Sequence, residues 1–336
     1  MQNPDKCIDM LFENGTVHNI AVKAVRGGET VCEIYRSDSK ALNEHTKFDM
    51  ASVTKILSPT MLFLIAWDKG LISPQTRVSE FYECPEDKKS LTLENLLTHT
   101  MGIGHKNLCA EGNTSENIAE YILTIAPDIA AGSDVLYSCP AFILLGKIME
   151  KVYKMRLDTA FDKYVAAPLG FSDTGYLPSS GEFVDSNIQN DETGIVNDYN
   201  CRFLGGVCGN AGIFSSMADM TKYAEMLLHS GAPLIGRDTF LAAAKNYTPA
   251  MSESRGLGFI YVDSRYAQTG NLFADGAIGH CGHTGQSVFA DIKKQMYVII
   301  LSDATVSTAK KYGIENYDEV MKMRCDIHNA LCEKLK

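Results

Sequence analysis

The sequence contains no block of basic residues and no apolar run long enough to cross a membrane. It has 31 lysine and arginine residues against 41 aspartate and glutamate residues, a formal net charge of −10. This balance argues against nucleic acid or an anionic membrane surface as a partner. The longest apolar stretch, residues 61–67, has the length of a core helix, whereas a bilayer span needs about 18 residues or more. We therefore expect neither nucleic acid nor a membrane as a partner.

Signals for export and for structural zinc are also absent. Residues 1–6 are polar, and no signal-peptide core follows them. None of the ten cysteines forms a Cys-x-x-Cys pair, the spacing typical of zinc ribbons and fingers. Ten cysteines without an export signal fit a reducing compartment. We therefore expect a cytoplasmic protein; a leader removed before residue 1 is the alternative.

Segments with β-type alternation lie near both ends of the chain. Residues 17–25 and 30–35 alternate in this way, and the glycine pair between them predicts a hairpin turn. Strands are also predicted at residues 256–262, 277–281 and 287–291, and the apolar run 296–301 predicts a central, buried strand. Between about residues 71 and 255, apolar residues recur at helical spacing instead.

This arrangement predicts an α+β fold, in which strands from both ends of the chain form one antiparallel sheet flanked by helices. An all-helical lobe is inserted between the two sets of strands. We expect a single domain over residues 1–336, with an α/β lobe at about 1–60 and 255–336. The helical lobe then covers about residues 61–254.

Three serines precede a lysine by three residues, a spacing that places both side chains on one face of a helix. These pairs are Ser37/Lys40, Ser52/Lys55 and Ser307/Lys310. We expect the first and third pairs to lie in polar, solvated segments. Only Lys55 is followed by a helix apolar enough to be buried, and burial lowers the pKa of a lysine. Ser52 is therefore the candidate nucleophile with Lys55 as its base; the alternative is an ordinary helix start with Ser52 as N-cap.

Two further clusters could complete such a site, which needs a proton donor for the leaving group and donors for an oxyanion. Tyr137, Ser138 and Cys139 come directly before a predicted helix. Residues 279–285 (GHCGHTG) lie between two predicted strands. Their glycines would let a substrate lie close against the strand edge.

Three more segments carry a resemblance to a known superfamily. Residues 48–55 (FDMASVTK), 96–102 (LLTHTMG) and 204–215 (LGGVCGNAGIFS) are similar to F-x-x-A-S-x-T-K, L-L-T-H-T-S-G and G-G-V-x-G-x-A-G-x-F-S. Together with the two clusters above, they resemble the serine β-lactamase and penicillin-binding-protein superfamily. The similarity is greatest to its class C β-lactamase-like branch, which includes family VIII esterases and D-amino-acid peptidases. The segments span residues 48–290 in family order.

The resemblance implies a role for each candidate residue. Ser52 would be acylated, and Lys55 would be the general base, kept partly neutral by burial and by neighbouring positive charge. Tyr137 would relay the proton to the leaving group. The backbone N–H groups of Ser52 and His283 would form the oxyanion hole. The family's fold, an antiparallel sheet with a helical lobe and a cleft between them, agrees with the fold predicted above.

The third family motif, Lys/His-x-Gly, has two alternatives in this chain, residues 280–282 and residues 283–285. We prefer the first, because relatives often carry G-H-T-G-F-T-G at this point. His280 would then orient the substrate and tune Tyr137, and Gly282 would lie beside the substrate.

Two departures from the family pattern concern the substrate. Cys139, which would also contact the substrate, stands where the family has asparagine, and a thiol is a weak hydrogen-bond partner. His280 stands where classical β-lactamases have lysine, and histidine is mostly neutral at pH 7. Both changes weaken the case for β-lactams and for D-Ala-D-Ala peptides. A metal at His280, Cys281 and His283 is disfavoured, because no further remote ligand accompanies them.

The sequence thus predicts a serine hydrolase that acts through an acyl-enzyme on Ser52. The expected activity is that of an esterase or a peptidase on small-molecule substrates (an ester, an amide or a β-lactam), without cofactor or metal. One alternative is a penicillin-binding protein or weak β-lactamase that acylates with little turnover; another is a scaffold that has lost catalysis. Loops at residues 109–115 and 179–198 would set the substrate, and the oligomeric state stays open.

Overall fold

The computed structural model describes residues 3–110, 112–186, 194–273 and 275–335. Residues 111 and 187–193, within the two loops expected to set the substrate, lie outside the described residues. Strands lie at Asn19–Arg26 (β1), Glu29–Ser37 (β2), Phe48–Asp49 (β3), Gly175–Tyr176 (β4), Ile213–Ser215 (β5), Ile260–Tyr261 (β6), Ile278–Cys281 (β7), Ser287–Asp291 (β8) and Met296–Ser302 (β9).

Helices cover the length of the chain between and beyond these strands. They lie at Pro4–Glu13 (α1), Thr54–Leu57 (α2), Pro59–Asp68 (α3), Leu93–Leu97 (α4), Ile118–Thr124 (α5), Cys139–Tyr153 (α6), Leu157–Phe161 (α7), Ala167–Leu169 (α8), Tyr199–Phe203 (α9), Met217–Leu228 (α10), Arg237–Ala243 (α11), Ala304–Tyr312 (α12) and Tyr317–Leu331 (α13). Short 3₁₀ turns lie at Ala51–Val53, Val78–Glu80 and Glu86–Lys88, and a π-helical turn at Asp162–Ala166 joins α7 to α8.

The main sheet is antiparallel throughout, with the strand order β2-β1-β9-β8-β7-β6. Gly27 and Gly28 close the β1–β2 hairpin with φ values of +59° and +80°, a backbone that favours glycine. Strand β9 lies between β1 and β8 and is buried along its whole length, which explains its unbroken apolar run. The predicted α+β fold, with one sheet built from both ends of the chain, is confirmed.

Helices pack on both faces of this sheet, because alternate residues of β9 contribute to two different cores. Tyr297, Ile299 and Leu301 belong to the core shared with the helical lobe, where α10 packs against β8 and β9. Val298 and Ile300 belong to the opposite core, beneath α1 and α13. Within the described ranges, no helix is long and apolar enough to cross a bilayer.

A second, small sheet was not predicted from the sequence. It has the order β3-β5-β4, and its pairs are only two residues long, such as Phe48 with Ser215 and Asp49 with Phe214. Such short strands carry no detectable alternation. This sheet matters for function because β3 ends just before Ser52.

Two local expectations need correction. Ser307 does not lie in a solvated segment: it is fully buried in α12, where its hydroxyl accepts a hydrogen bond from the His18 N–H at 3.1 Å. The strand expected at residues 256–262 is limited to β6. Pro59 begins a new helix, since Ser58 (φ −110°, ψ −81°) separates α2 from α3.

Candidate active site

Ser52 lies in the 3₁₀ turn between β3 and α2. The pairing of β3 with β5 fixes the chain on one side of this turn. On the same side, the carboxylate of Asp49, the last residue of β3, accepts the Ala51 N–H at 2.8 Å. Ala51 has a φ of +43°, an unfavourable backbone for a residue with a Cβ. The strain is tolerated because its neighbours hold the turn, and it presents Ser52 at the start of a buried helix.

Lys55 lies one helical turn after Ser52 and is fully buried. Its ammonium donates to the Ser52 Oγ at 2.9 Å and to the Asn210 carbonyl at 3.0 Å. It also contacts the Cys139 Sγ at 3.6 Å. The spacing of three residues therefore places the amine on the serine hydroxyl, as the sequence predicted.

Tyr137 approaches Ser52 from the other side of the site. Its hydroxyl donates to the Ser52 Oγ at 2.7 Å. The tyrosine ring lies against His99, with ring centroids 4.6 Å apart, and His99 Nδ1 accepts the Ser138 N–H at 3.0 Å. His99 is therefore a buried residue that supports the Tyr137 segment.

The protonation of this cluster differs from the sequence expectation of a partly neutral Lys55. Burial acts to lower the pKa of Lys55, but the negative charge that Cys139 and Tyr137 can carry outweighs burial and raises it. Burial acts to raise the pKa of Cys139, but Lys55 and a hydrogen bond with His105 lower it below its ordinary value. Lys55 and Cys139 thus stabilise each other's charged forms, an ammonium beside a thiolate. Burial raises the pKa of Tyr137, so its hydroxyl keeps its proton.

Of the two candidates for the third motif, His280 is the one that faces the cluster. It is buried in β7, and its ring centroid lies 6.3 Å from that of Tyr137. Burial lowers the pKa of His280 well below its usual range, so the ring is neutral. Its Nδ1 lies 2.7 Å from the Cys281 carbonyl, and its Nε2 has no hydrogen-bond partner among the described residues.

His283 points elsewhere. Its Nε2 lies 2.7 Å from a carboxylate oxygen of Glu315, and its ring stacks on Tyr317 with centroids 5.4 Å apart. The side chains of His280 and His283 therefore have different surroundings. What His283 can offer to the site is its backbone N–H.

The turn that carries His283 lies directly against the segment before Ser52. The Thr284 hydroxyl donates to the Asp49 carbonyl at 3.0 Å. A Cβ at Gly282 would meet the Met50 carbonyl at 2.7 Å, closer than real Cβ contacts come, so only glycine allows this approach. The expected pair of oxyanion donors, the N–H groups of Ser52 and His283, is thus carried by two segments in contact.

These residues line a cavity of about 1260 Å³. Ser52, Tyr137, Cys139 and His280 all contribute to its wall. The volume is ample for a small substrate. The structure thus brings the predicted site residues together around one open space.

Sequence reasoning missed Arg255 and His105, which also line this cavity. Arg255 is only 5% exposed; it pairs with Glu253 through Nη2, while its Nε and Nη1 have no partner within the described residues. Its guanidinium carbon lies 5.9 Å from the centre of the Tyr137 ring. Neither residue belongs to a recognised motif. The only available signal for Arg255 was a charged residue just before β6, where the strands of the main sheet resume along the chain.

Comparisons with known proteins agree with this geometry. A family model described as Beta-lactamase matches residues 5–320. The chain is 23% identical over 308 residues to the D-alanyl-D-alanine-carboxypeptidase/endopeptidase AmpH of Escherichia coli (strain K12), covering 82% of this chain and 77% of that protein.

Solved structures show the same fold. EstCE1, a hydrolase with promiscuous acyltransferase activity, superimposes with a TM-score of 0.76 at 17% identity, covering 98% of this chain and 97% of that one. A class C beta-lactamase gives a TM-score of 0.76 at 17% identity, with 98% and 95% covered. Because the family model spans nearly the whole chain and the site geometry agrees with it, the chain belongs to the beta-lactamase family of serine hydrolases.

Proposed function

We propose that this enzyme hydrolyses small acyl substrates, esters or peptide-like amides, through an acyl-enzyme on Ser52. One observation carries the proposal: the Ser52 hydroxyl is held by both the Lys55 amine at 2.9 Å and the Tyr137 hydroxyl at 2.7 Å. A serine becomes a useful nucleophile when a base lies within hydrogen-bond reach. The second contact places a proton donor beside the bond that is cleaved.

The reaction proceeds by proton transfers among Lys55, Cys139, Ser52 and Tyr137. A proton moves from the Lys55 ammonium to the Cys139 thiolate, which leaves Lys55 neutral. Ser52 Oγ then attacks the carbonyl carbon and its proton passes to Lys55, while the N–H groups of Ser52 and His283 hold the oxyanion. Tyr137 protonates the leaving group as the tetrahedral intermediate collapses, and it regains a proton from Lys55. Water repeats the sequence on the ester to release Ser52.

Arg255 favours a substrate that carries a carboxylate. The neutral His280 cannot supply the cation that classical β-lactamases have in the third motif, but Arg255 lines the same cavity. An arginine fork with unpaired N–H groups matches a carboxylate. The AmpH relative is named for carboxypeptidase activity, and a peptide with a free C-terminal carboxylate is the corresponding second candidate substrate here.

The nucleophile is tested by intact-mass analysis after treatment with a fluorophosphonate. We expect one adduct in the wild type, its loss in Ser52→Ala and its retention in Ser37→Ala, the serine of another Ser-x-x-Lys pair. An adduct that persists in Ser52→Ala would contradict the assignment.

The substrate is tested with p-nitrophenyl acetate, nitrocefin and a pair of matched peptides. The peptides are N-acetyl-D-alanyl-D-alanine and its C-terminal amide, which differ only in the carboxylate. If Arg255 binds the carboxylate, Arg255→Gln lowers kcat/KM for the acid about 10-fold or more and leaves the amide nearly unchanged, a loss typical of a charged hydrogen-bonded pair. Equal losses on both peptides would exclude this role for Arg255.

A protein that acylates with little turnover is the alternative, and the same adduct distinguishes it. Nitrocefin would give a stoichiometric burst and a lasting covalent adduct on Ser52. A hydrolase would give continuous product and only a transient adduct.

We also propose a cytoplasmic location. The support is the cysteines: nine of them in the described part of the chain are free thiols, including buried Cys139 beside Lys55. Free thiols persist in reducing compartments. Fractionation of the native host with an antibody to the protein tests this location.

A further inference from the structure

Arg324 is a fully buried cation that the reaction steps above do not use. It lies on α13, the last described helix, and its side chain reaches the turn after β7. Its Nη2 donates to the Gly282 carbonyl, and its Nε lies 3.4 Å from the Gly285 carbonyl. Gln268 anchors the guanidinium, accepting from Nη1 at 2.6 Å.

The carbonyl that Arg324 contacts belongs to the same peptide group as the His283 N–H. A trans peptide is planar, so the C=O of Gly282 and the N–H of His283 point in opposite directions. The Gly282 carbonyl also accepts the Gly285 N–H at 3.1 Å. Two donors on one carbonyl therefore fix the plane of this peptide and the direction of its N–H.

The charge of the guanidinium adds a second effect. A hydrogen bond from a cation polarises the amide, and hydrogen bonds linked through one peptide strengthen one another. The His283 N–H thereby carries more positive charge than an ordinary amide. A donor of this kind stabilises an oxyanion more than it stabilises a neutral carbonyl oxygen.

The remaining contacts of the turn keep this peptide near the nucleophile. Thr284 binds the carbonyl of Asp49, and the Thr305 hydroxyl donates to the His283 carbonyl. The main chain on both sides of the peptide is therefore held against the segment that leads to Ser52.

We propose that Arg324 is a positioning residue for the oxyanion hole: it orients and polarises the peptide group between Gly282 and His283 from behind, without touching substrate. This inference rests on the proposed acyl-transfer function. It assigns the C-terminal helix a role in catalysis in addition to its packing on the sheet.

The test compares Arg324→Gln and Arg324→Lys with the wild type on p-nitrophenyl acetate. Loss of a complete oxyanion donor costs about 10²–10³-fold in kcat, so weakening one should cost about 10- to 100-fold in Arg324→Gln. Arg324→Lys keeps the charge but not the planar fork, and its kcat should lie between those of Arg324→Gln and wild type. KM should change by no more than about threefold, because a neutral carbonyl oxygen depends less on the donor.

Phenylboronic acid, which forms a tetrahedral adduct on serine, provides the readout that packing alone would not change. Its inhibition constant should rise in parallel with the loss of kcat. Asn329→Ala is the matched control, since Asn329 lies on the same helix and accepts the Asn271 N–H at 2.9 Å without touching the turn. It should lower the melting temperature and leave kcat and boronate affinity unchanged.

The inference is overturned if folded Arg324→Gln retains kcat and boronate affinity within about twofold, or if Asn329→Ala shows the same losses. Should neither Arg324 variant fold, Gln268→Ala, which releases the guanidinium at Nη1, is measured in their place with the same two outcomes. Fluorophosphonate labelling of wild-type Ser52 distinguishes failure of the proposed function from failure of the inference on Arg324. If Ser52 is not labelled, the proposed function fails. If it is labelled, the kinetics test the role of Arg324 alone.

Discussion

Replacing Lys55 by methionine is expected to raise the pKa of the Cys139 thiol. Methionine is unbranched and only one atom shorter than lysine, but it carries no charge. The thiol then loses the cation that opposes the effect of burial, while its hydrogen bond with His105 remains. Removing a nearby positive charge disfavours the thiolate, so the pKa must move upwards.

The size of the effect follows from the 3.6 Å between the Lys55 Nζ and the Cys139 Sγ. Two unit charges at this separation attract by about 1 kcal/mol at the dielectric constant of water and by about 5 kcal/mol at an effective value of about 20. Because about 1.4 kcal/mol corresponds to a factor of ten, the thiolate population at a pH below the midpoint should fall at least about fivefold.

Alkylation by iodoacetamide across a pH series, followed by mass spectrometry of the peptide that contains Cys139, measures the midpoint. The midpoint is the quantity to compare, since a thiolate of higher pKa is also the better nucleophile and the rate alone would understate the change. Lys106→Met removes a half-buried cation that pairs with Asp128 and should leave the midpoint unchanged. A midpoint that stays constant or moves to lower pH in Lys55→Met would refute the thiolate–ammonium pair.

Three further substitutions test the surroundings of the site. Gly209→Ala would place a Cβ 2.0 Å from the Phe142 carbonyl, so it should lower the free energy of unfolding by about 2 kcal/mol or more; an unchanged urea midpoint would contradict this. Burial raises the pKa of Asp49 from 3.8 to about 6, so the folded state binds this proton more tightly, and the resulting stabilisation is lost as the pH rises through 6. Asp49→Asn should therefore gain up to about 3 kcal/mol relative to wild type between about pH 4 and pH 7, and a pH-independent difference in urea unfolding would argue against it. Lys55→Ala should lower kcat on the order of 10³-fold, and adding Tyr137→Phe should cost little more; fully multiplicative losses would mean that the two residues act on separate protons.

Features that depend on neighbouring residues could be predicted from the sequence. The contact of Ser52 with Lys55 follows from helical geometry over three residues, and β1, β2, β8 and β9 follow from alternation or apolar runs. The α12 helix was missed because its buried residues are small and polar, such as Thr305 and Ser307. They give no amphipathic signal even though they pack in the interior.

Features that depend on distant contacts could not be predicted. The charge on Lys55 depends on Cys139, which lies 84 residues away in sequence. Arg255 and His105 join the site only because the strands and the helical lobe fold together, and neither forms part of a local pattern. The same holds for Arg324, whose effect passes through the main chain of another residue.

The strand order of the main sheet also has a consequence for how the protein is made. Strand β1 pairs with β9, as in the contact of Ala21 with Leu301, so its central partner leaves the ribosome only after about 280 further residues have been made. At a synthesis rate of about 5–20 residues per second, the β1 edge of the β1–β2 hairpin stays unpaired for on the order of half a minute. Such long-range pairing folds slowly and leaves strands open to wrong partners in the interval. We therefore expect chaperone dependence during expression, and we expect nascent chains shortened before β9 to lack the strand that joins β1 to β8 and to be inactive.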